Sequence, residues 1–221
     1  MPKPGQVTAE GFHLRLLEHV RKTVKPGDAS NMIATIDNYC YTVESGMNVG
    51  DVKGKILDDI VLETNPTTVL ELGTFCGYSA LRIARNLPEN SRFFTVEFNP
   101  EHAAVAKEII HTAGMDDKIQ MLIGPSQEMI PQFKGMGVSH FDLVFVDHEK
   151  DLYKPDVILL EKEGLLKKGS VIVADNVVYP GSPDYIDYVR NNPKFKSTNY
   201  MSELEYHKDV VDAIEKSIYI G

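Results

Sequence analysis

The sequence contains no tryptophan, only two cysteines in 221 residues, and fewer basic than acidic side chains. Cys40 and Cys76 are too few for a disulfide scaffold and lack Cys-x-x-Cys spacing, which favours a reducing compartment. The 23 basic and 32 acidic side chains give a formal net charge of −9, which opposes binding to nucleic-acid phosphates. We therefore expect no nucleic-acid partner, and a Cys76 that serves as a small buried apolar residue.

Long apolar stretches are missing as well. No stretch approaches the roughly 20 apolar residues that span a bilayer, and residues 1–13 lack the apolar segment of a signal peptide. The rest of the composition, 43% hydrophobic and 25% charged, is that of an ordinary globular chain without a Ser/Gly/Pro-rich linker. We expect one domain over residues 1–221, located in the cytoplasm and without membrane attachment.

Apolar residues at helical spacing predict three helices before residue 66. A first stripe runs from Phe12 to Val24 and stops at Pro26, and Ser30 is expected to cap a second helix over residues 31–44. A third stripe ends before Asn65-Pro66. We interpret residues 1–65 as an N-terminal helical cap over the active site, and residues 66–221 as the core of the domain.

From residue 66 onward, short apolar runs alternate with helix-like stretches. The runs cover residues 69–72, 93–96, 119–123, 141–146 and 171–174. Such continuous runs are typical of strands that are buried on both faces. The alternation predicts βαβ units and an α/β fold with an open, mostly parallel sheet and helices on both faces. Residues 195–201 and 217–220 are expected to add an antiparallel hairpin at the edge of the sheet.

A glycine turn follows the first predicted strand, and in this fold class ligands bind beyond the carboxyl ends of the strands. Gly73 and Gly77 lie four residues apart and do not form the Gly-x-Gly-x-x-Gly pattern of a dinucleotide site, which favours a nucleoside without phosphates. Glu97 ends the second strand, where an acid accepts hydrogen bonds from ribose hydroxyls. The alternatives are that the glycines only form a turn and that Glu97 stabilises a helix N-terminus.

Oxygen-bearing side chains follow two neighbouring strands. Asp147 ends the fourth run, and Asp175 and Asn176 end the fifth. Two carboxylates and an amide are hard ligands that suit Mg²⁺. The alternative is that both aspartates cap the helices that follow them.

Lys150 lies three residues beyond Asp147 and is a candidate general base, because the ammonium form is disfavoured beside a divalent cation. The alternative is a solvated lysine between Glu149 and Asp151. We expect His148 to make a packing contact or a hydrogen bond rather than to bind the metal. No histidine has the spacing of a zinc site, and no Gly-x-Ser-x-Gly motif of a serine hydrolase is present.

Together these features resemble the catechol O-methyltransferases, class I enzymes that use S-adenosylmethionine and Mg²⁺, over nearly the whole chain. The stretches that carry the resemblance are Met47-Asn48-Val49-Gly50-Asp51, Leu70-Glu71-Leu72-Gly73, Cys76-Gly77-Tyr78-Ser79, Val146-Asp147-His148 with Lys150, Ala174-Asp175-Asn176 with Pro180-Gly181, and Leu204-Glu205-Tyr206. The resemblance implies a Rossmann-like seven-stranded sheet, methyl transfer to one hydroxyl of a catechol, and a monomer or weak dimer.

The resemblance also implies roles for individual residues. Asp147, Asp175 and Asn176 would hold Mg²⁺, Lys150 would be the catalytic base, and Glu205 would bond the neighbouring hydroxyl. The implied cofactor site consists of Met47, Val49, Glu71, Gly73, Tyr78, Ser79, Glu97, Phe98, Gly124, Ser126, Gln127, Asp147 and His148. The implied substrate site consists of Ser45, Met47, Glu149, Lys150, Asn176, Pro180 and Glu205.

The sequence departs from the vertebrate members of that family at the wall of the substrate site. Ser45 and Glu149 stand where those members have two tryptophans, Phe75 replaces a tyrosine, and Phe98 replaces a methionine. We therefore expect a more open and more polar pocket with altered selectivity between the two catechol hydroxyls.

Three other functions remain as alternatives. A caffeoyl-CoA-type O-methyltransferase would share the metal site but needs a basic cluster for the CoA tail, which the sequence does not offer. A non-catalytic homologue would retain the fold without the reaction. An NAD-dependent oxidoreductase would be stabilised by NAD rather than by S-adenosylmethionine.

Overall fold

The computed structural model describes residues 10–221, in which eight α-helices surround one seven-stranded sheet. The helices are α1 Phe12–Thr23, α2 Ala29–Thr42, α3 Gly50–Thr64, α4 Tyr78–Arg85, α5 Pro100–Thr112, α6 Ser126–Met129, α7 Tyr153–Lys162 and α8 Pro183–Asn191. The strands are β1 Thr68–Leu72, β2 Arg92–Glu97, β3 Ile119–Ile123, β4 Phe141–Val146, β5 Leu166–Ala174, β6 Phe195–Leu204 and β7 His207–Tyr219. Residues 1–9 lie outside the described part, so the interpretation of residues 1–13 as lacking a signal peptide falls mostly outside it as well.

The sheet has the strand order β3-β2-β1-β4-β5-β7-β6. The first five strands are parallel, whereas β7 pairs antiparallel with both β5 and β6. This confirms the mostly parallel sheet with an antiparallel hairpin at one edge. The chain moves outward from β1 in one direction and from β4 in the other, so a ligand crevice opens where these two strands end.

Side chains that alternate along each strand divide the core into two layers. Val69, Phe93 and Leu143 pack with α1 to α5 on one face, whereas Leu70, Phe94 and Val144 pack with α7 and α8 on the other. Because both faces of the central strands are buried, these strands read as continuous apolar runs. The helices that precede β1 thus extend the layer on the first face.

Two sequence predictions need correction. Asp28, not Ser30, caps α2: its side chain accepts a hydrogen bond from the amide of Asn31 at 2.9 Å, so the helix begins at Ala29. The second hairpin strand is much longer than residues 217–220, because β7 begins at His207. The prediction missed this part because Asp212 and Glu215 are buried in polar contacts and give no apolar pattern.

Within the described residues, no helix is both long enough and apolar enough to cross a membrane.

Candidate active site

The turn after β1 can be formed only with glycine at its first position. Gly73 has a φ of 99°, and a Cβ placed there would lie 2.3 Å from the carbonyl oxygen of Asp147 at the end of β4. A side chain at this position would separate β1 from β4. The turn therefore packs closely against the end of β4 and borders the crevice between β1 and β4.

Glu97 connects this turn with the beginning of α5. One of its carboxylate oxygens, Oε2, accepts hydrogen bonds from the amides of Thr74 and Phe75 at 3.2 and 2.7 Å. Asn99, not Glu97, caps α5. The other oxygen of Glu97, Oε1, accepts a hydrogen bond from the amide of Asn99 at 2.9 Å, so the carboxylate contacts both the turn and the N-terminus of α5.

Glu71 is fully buried beneath the same turn. Its Oε2 accepts a hydrogen bond from the hydroxyl of Thr95 at 2.5 Å, whereas Oε1 has no hydrogen-bond partner among the described residues. Burial raises the pKa of Glu71 to about 8. A buried acceptor without a donor fits a ligand that carries positive charge, such as the ammonium or sulfonium group of S-adenosylmethionine.

The other predicted cofactor residues differ in their exposure. Val49 and Ser79 are buried, whereas Met47 and Phe98 are 47% and 73% exposed. Ser126 and Gln127 begin α6 just after Gly124, and the buried hydroxyl of Ser126 has no hydrogen-bond partner among residues 10–221.

The polar side-chain atoms of Tyr78 and His148 form hydrogen bonds with other side chains of the protein. The Tyr78 hydroxyl donates to Asp37 at 2.7 Å and accepts from Arg82 at 2.9 Å, away from the crevice. His148 makes the expected hydrogen bond: its Nε2 lies 2.8 Å from a carboxylate oxygen of Asp156, and its ring stacks on Tyr153.

Asp147, Asp175 and Asn176 meet at the adjacent ends of β4 and β5. Lys150 Nζ lies 3.1 Å from Asp147 Oδ1 and 3.3 Å from Asn176 Oδ1, so these two oxygens converge on one cation. Neither aspartate carboxylate accepts a hydrogen bond from a backbone amide in the described part of the chain, so the capping alternative is not observed. Burial is the main cause that raises the pKa of both carboxyl groups above their ordinary range. No group of three or more His, Cys, Asp and Glu residues within residues 10–221 has metal-site geometry; the candidate set here is two carboxylates and one amide.

Lys53, which the sequence analysis did not identify, lies behind these residues. Its ammonium group is fully buried and contacts Asp175 at 2.8 Å, Glu205 at 2.9 Å and Asp212 at 2.6 Å. The only sequence signal is that residue 53 shares the apolar face of α3 with Leu57, Ile60 and Val61. A charge at the first position of such a stripe indicates a buried partner.

The charges of this carboxylate cluster, defined as Asp147, Asp175, Glu205 and Asp212 with Lys53 and Lys150, do not balance. When all four carboxylates are ionised they face two ammonium groups, which leaves two negative charges in excess; after burial, this mutual repulsion is a further cause of the raised pKa of Asp175. Uncompensated buried charge is costly, and one divalent cation would neutralise the cluster. The donor set therefore fits Mg²⁺ both in its chemistry and in its charge.

Lys150 is not a solvated lysine. Its side chain is 18% exposed, and Nζ also donates to the hydroxyl of Tyr153, which in turn donates to the carbonyl oxygen of Asp175 at 3.1 Å. The 3₁₀ turn that begins at Lys150 brings the side chain back over the ends of both strands. The Lys150 amine is thus held beside the oxygens that are the candidate metal ligands.

Of the predicted wall residues of the substrate site, Ser45 makes a polar contact, whereas Glu149 and Pro180 are exposed to solvent. Ser45 Oγ lies 3.1 Å from Nε2 of His207, which links the loop before α3 to the first residue of β7. Glu149 and Pro180 are exposed, and Pro180 follows a cis peptide bond. Glu205 Oε2 accepts a hydrogen bond from Asn176 Nδ2 at 3.2 Å, which places Glu205 beside one of the candidate metal ligands.

Comparisons with known proteins agree with this geometry. The model of the O-methyltransferase family matches residues 28–210. Catechol O-methyltransferase of Mus musculus is 50% identical over 208 residues, which cover 94% of this chain and 78% of the mouse protein. A transmembrane O-methyltransferase homolog of the same species is 36% identical over 209 residues, covering 94% of this chain and 81% of that protein.

Solved structures share the fold. The O-methyltransferase TomG of Streptomyces achromogenes, in complex with SAM, matches with a TM-score of 0.75 at 22% identity, covering 98% of this chain and 100% of that one. An O-methyltransferase of Bacillus cereus in complex with SAH has a TM-score of 0.72 at 22% identity, covering 93% and 97%. The chain therefore belongs to the O-methyltransferase family, as a relative of the catechol O-methyltransferases.

Proposed function

We propose that this protein is a Mg²⁺-dependent catechol O-methyltransferase that uses S-adenosylmethionine. The observation that carries the proposal is the carboxylate cluster at the ends of β4 and β5, whose two excess negative charges lie beside the glycine turn. Relatives that are 50% identical bear the name of this activity.

The crevice beside β1 is the proposed site for S-adenosylmethionine. Glu71 offers its unpaired oxygen to the positively charged amino-acid part, and Glu97 accepts hydrogen bonds from the ribose. Ser126, Gln127, Gly124 and the exposed ring of Phe98 surround the adenine. Met47, Val49, Gly73, Ser79 and Asp147 complete the site, and Tyr78 and His148 support it from behind through their own hydrogen bonds.

Asp147, Asp175 and Asn176 would hold Mg²⁺. When bound, the ion supplies positive charge that favours a deprotonated hydroxyl, and S-adenosylmethionine supplies the methyl group. Lys150 removes the proton from the attacking hydroxyl, and Glu205 accepts a hydrogen bond from the neighbouring one. The side chains that hold the reactants in line contribute most of the rate, up to roughly 7–11 kcal/mol.

The direct test is product formation from S-adenosylmethionine and 3,4-dihydroxybenzoate, measured by chromatography with mass detection. We expect one methyl group per product in Mg²⁺ and none in EDTA. The matched control is 3-hydroxybenzoate, which lacks the second hydroxyl and should not react. Methylation of caffeoyl-CoA but not of the free catechol would replace this proposal with the CoA-ester reaction. Binding of S-adenosylmethionine without any product would favour the non-catalytic homologue.

Three further properties belong to this proposal. We expect the enzyme to act in the cytoplasm, because both cysteines are free and buried. We expect a monomer or weak dimer, which sedimentation velocity would test. We also propose that residues 1–65 and 66–221 fold as one domain, which a single unfolding transition would support.

A further inference from the structure

We infer that Lys53 and Asp212 are a positioning pair that aims the metal-binding residues and Glu205 from behind. This inference rests on the proposed metal site and adds two residues to it. Both side chains are fully buried, and they contact each other at 2.6 Å. Neither has been assigned a direct role in binding the cofactor or the catechol.

Asp212 determines which end of the Asn176 amide faces the metal. Asn176 Nδ2 donates to Asp212 Oδ2 at 2.9 Å, so Oδ1 points toward Lys150. Asp212 cannot follow a rotation of the amide, because its Oδ1 accepts hydrogen bonds from the amides of Val178 and Tyr179 at 3.2 and 2.9 Å. Since the two ends of an amide are similar in size, this contact selects the oxygen as the ligand.

Lys53 determines the orientation of Asp175 and Glu205. Its Nζ lies 2.8 Å from Asp175 Oδ1 and 3.0 Å from Oδ2, so one ammonium group contacts both oxygens and fixes the plane of the carboxylate. The same ammonium group contacts Glu205 Oε2 at 2.9 Å. One buried cation on α3 thus connects the end of β5 with the β6–β7 turn.

Stability alone is a poor explanation for this pair. Burying charged groups costs desolvation energy that their attraction does not reliably offset. Residues that orient metal ligands from outside the coordination sphere, in contrast, commonly change metal affinity by about 10- to 100-fold when they are removed.

The test relies on Mg²⁺ affinity, which a charge effect and a positioning effect would change in opposite directions. Lys53→Met makes the cluster more negative, so charge alone would tighten Mg²⁺ binding. Positioning instead predicts at least tenfold weaker binding, measured by titration calorimetry with Mg²⁺ on the full chain. The affinity for S-adenosylhomocysteine should stay within twofold, because Glu71 and Glu97 do not contact Lys53.

Two further variants keep the test decisive. The double variant Lys53→Met/Asp212→Asn restores the net charge of the cluster, so it remains informative if the single variant does not fold; positioning still predicts at least tenfold weaker Mg²⁺ binding. Arg190→Met is the matched control, because it breaks the contact with the buried Glu215 on the same strand, away from the site. It should change stability but not Mg²⁺ affinity.

The outcomes separate this inference from the proposed function. Wild-type protein that does not bind Mg²⁺ would overturn the metal site itself. Wild-type binding with unchanged or tighter binding in the Lys53 variants would overturn the positioning pair alone. Equal losses of Mg²⁺ and S-adenosylhomocysteine binding would also overturn it, because they would reveal a general structural role.

Discussion

Lys150 has two proposed roles: it compensates charge in the carboxylate cluster, and it is the general base. It contributes one of the two positive charges in the carboxylate cluster, and it places Nζ beside Asp147 and Asn176. Tyr153 holds that position from below, and it stays a neutral phenol because burial raises its pKa well above the ordinary range. The proposed base, which must lose its positive charge before it can accept a proton, is therefore oriented by a neutral hydroxyl.

Lys150→Met should separate these roles. We expect kcat to fall by about 10²- to 10⁴-fold, because the variant has no proton acceptor at this position. Mg²⁺ affinity should not fall, because the cluster becomes more negative. Initial rates and calorimetry measure the two effects. Lys154→Met, on α7, is the control and should retain activity; substantial turnover in Lys150→Met would exclude the lysine as the base.

Ser45 and Glu149 define the second prediction at this scale. Replacing both with tryptophan should narrow the pocket and raise the ratio of the major to the minor methylated isomer, because a rigid wall restricts how a catechol can turn. Isomer ratios from 3,4-dihydroxybenzoate measure the effect. A ratio equal to that of the wild-type protein would mean that these positions do not line the substrate site.

Individual elements show what the sequence could predict. The apolar runs located the ends of β1, β2, β4 and β5, and each end carries a candidate site residue that the pattern identified, such as Glu97 or Asp175. The pattern failed at β7, because buried polar residues interrupt it. Lys53 and Asp212 were missed for a related reason: they are far apart in the chain, and only the tertiary fold brings them together.

Asp142 connects two elements of the sheet and gives a prediction about pH. It is the second residue of β4 and accepts hydrogen bonds from the amides of Thr67, which precedes β1, and Thr68, which begins it. Burial would raise its pKa, but the hydrogen bond with Lys167 and those from Thr67 and Thr68 outweigh burial and lower the pKa to about 2. A depressed pKa means that the stabilisation is present above the unfolded value, near 3.8, and is lost as pH falls toward 2.

Asp142→Asn should therefore reduce the free energy of unfolding by on the order of 1 kcal/mol at neutral pH, since the partial exposure of Asp142 screens the effect. The difference from wild type should stay constant down to about pH 5 and shrink below pH 4. Urea unfolding at several pH values measures it. Asp117→Asn, at an exposed residue, serves as the control, and a difference that is still undiminished at pH 2 would contradict the assignment.

At the scale of the whole molecule, the carboxylate cluster is formed by side chains from two distant parts of the chain. Lys53 lies on α3, before the first strand, whereas Glu205 lies in the β6–β7 turn and Asp212 lies on β7. The cluster therefore joins α3, near the beginning of the described chain, to the β6–β7 hairpin at its end. A cation that neutralises it should stabilise the fold globally and not only at the site.

Thermal unfolding with and without Mg²⁺ tests this expectation. At a concentration 100-fold above its Kd, a ligand that binds only the folded state contributes about 2.7 kcal/mol. For a chain of this size, that corresponds to a rise in Tm of about 5 to 10 °C. Na⁺ at equal ionic strength should produce no comparable shift, because it supplies one charge instead of two. Asp175→Asn should lose most of the Mg²⁺ effect, since it removes a ligand and half of the excess charge; an undiminished shift in this variant would locate the stabilising cation elsewhere.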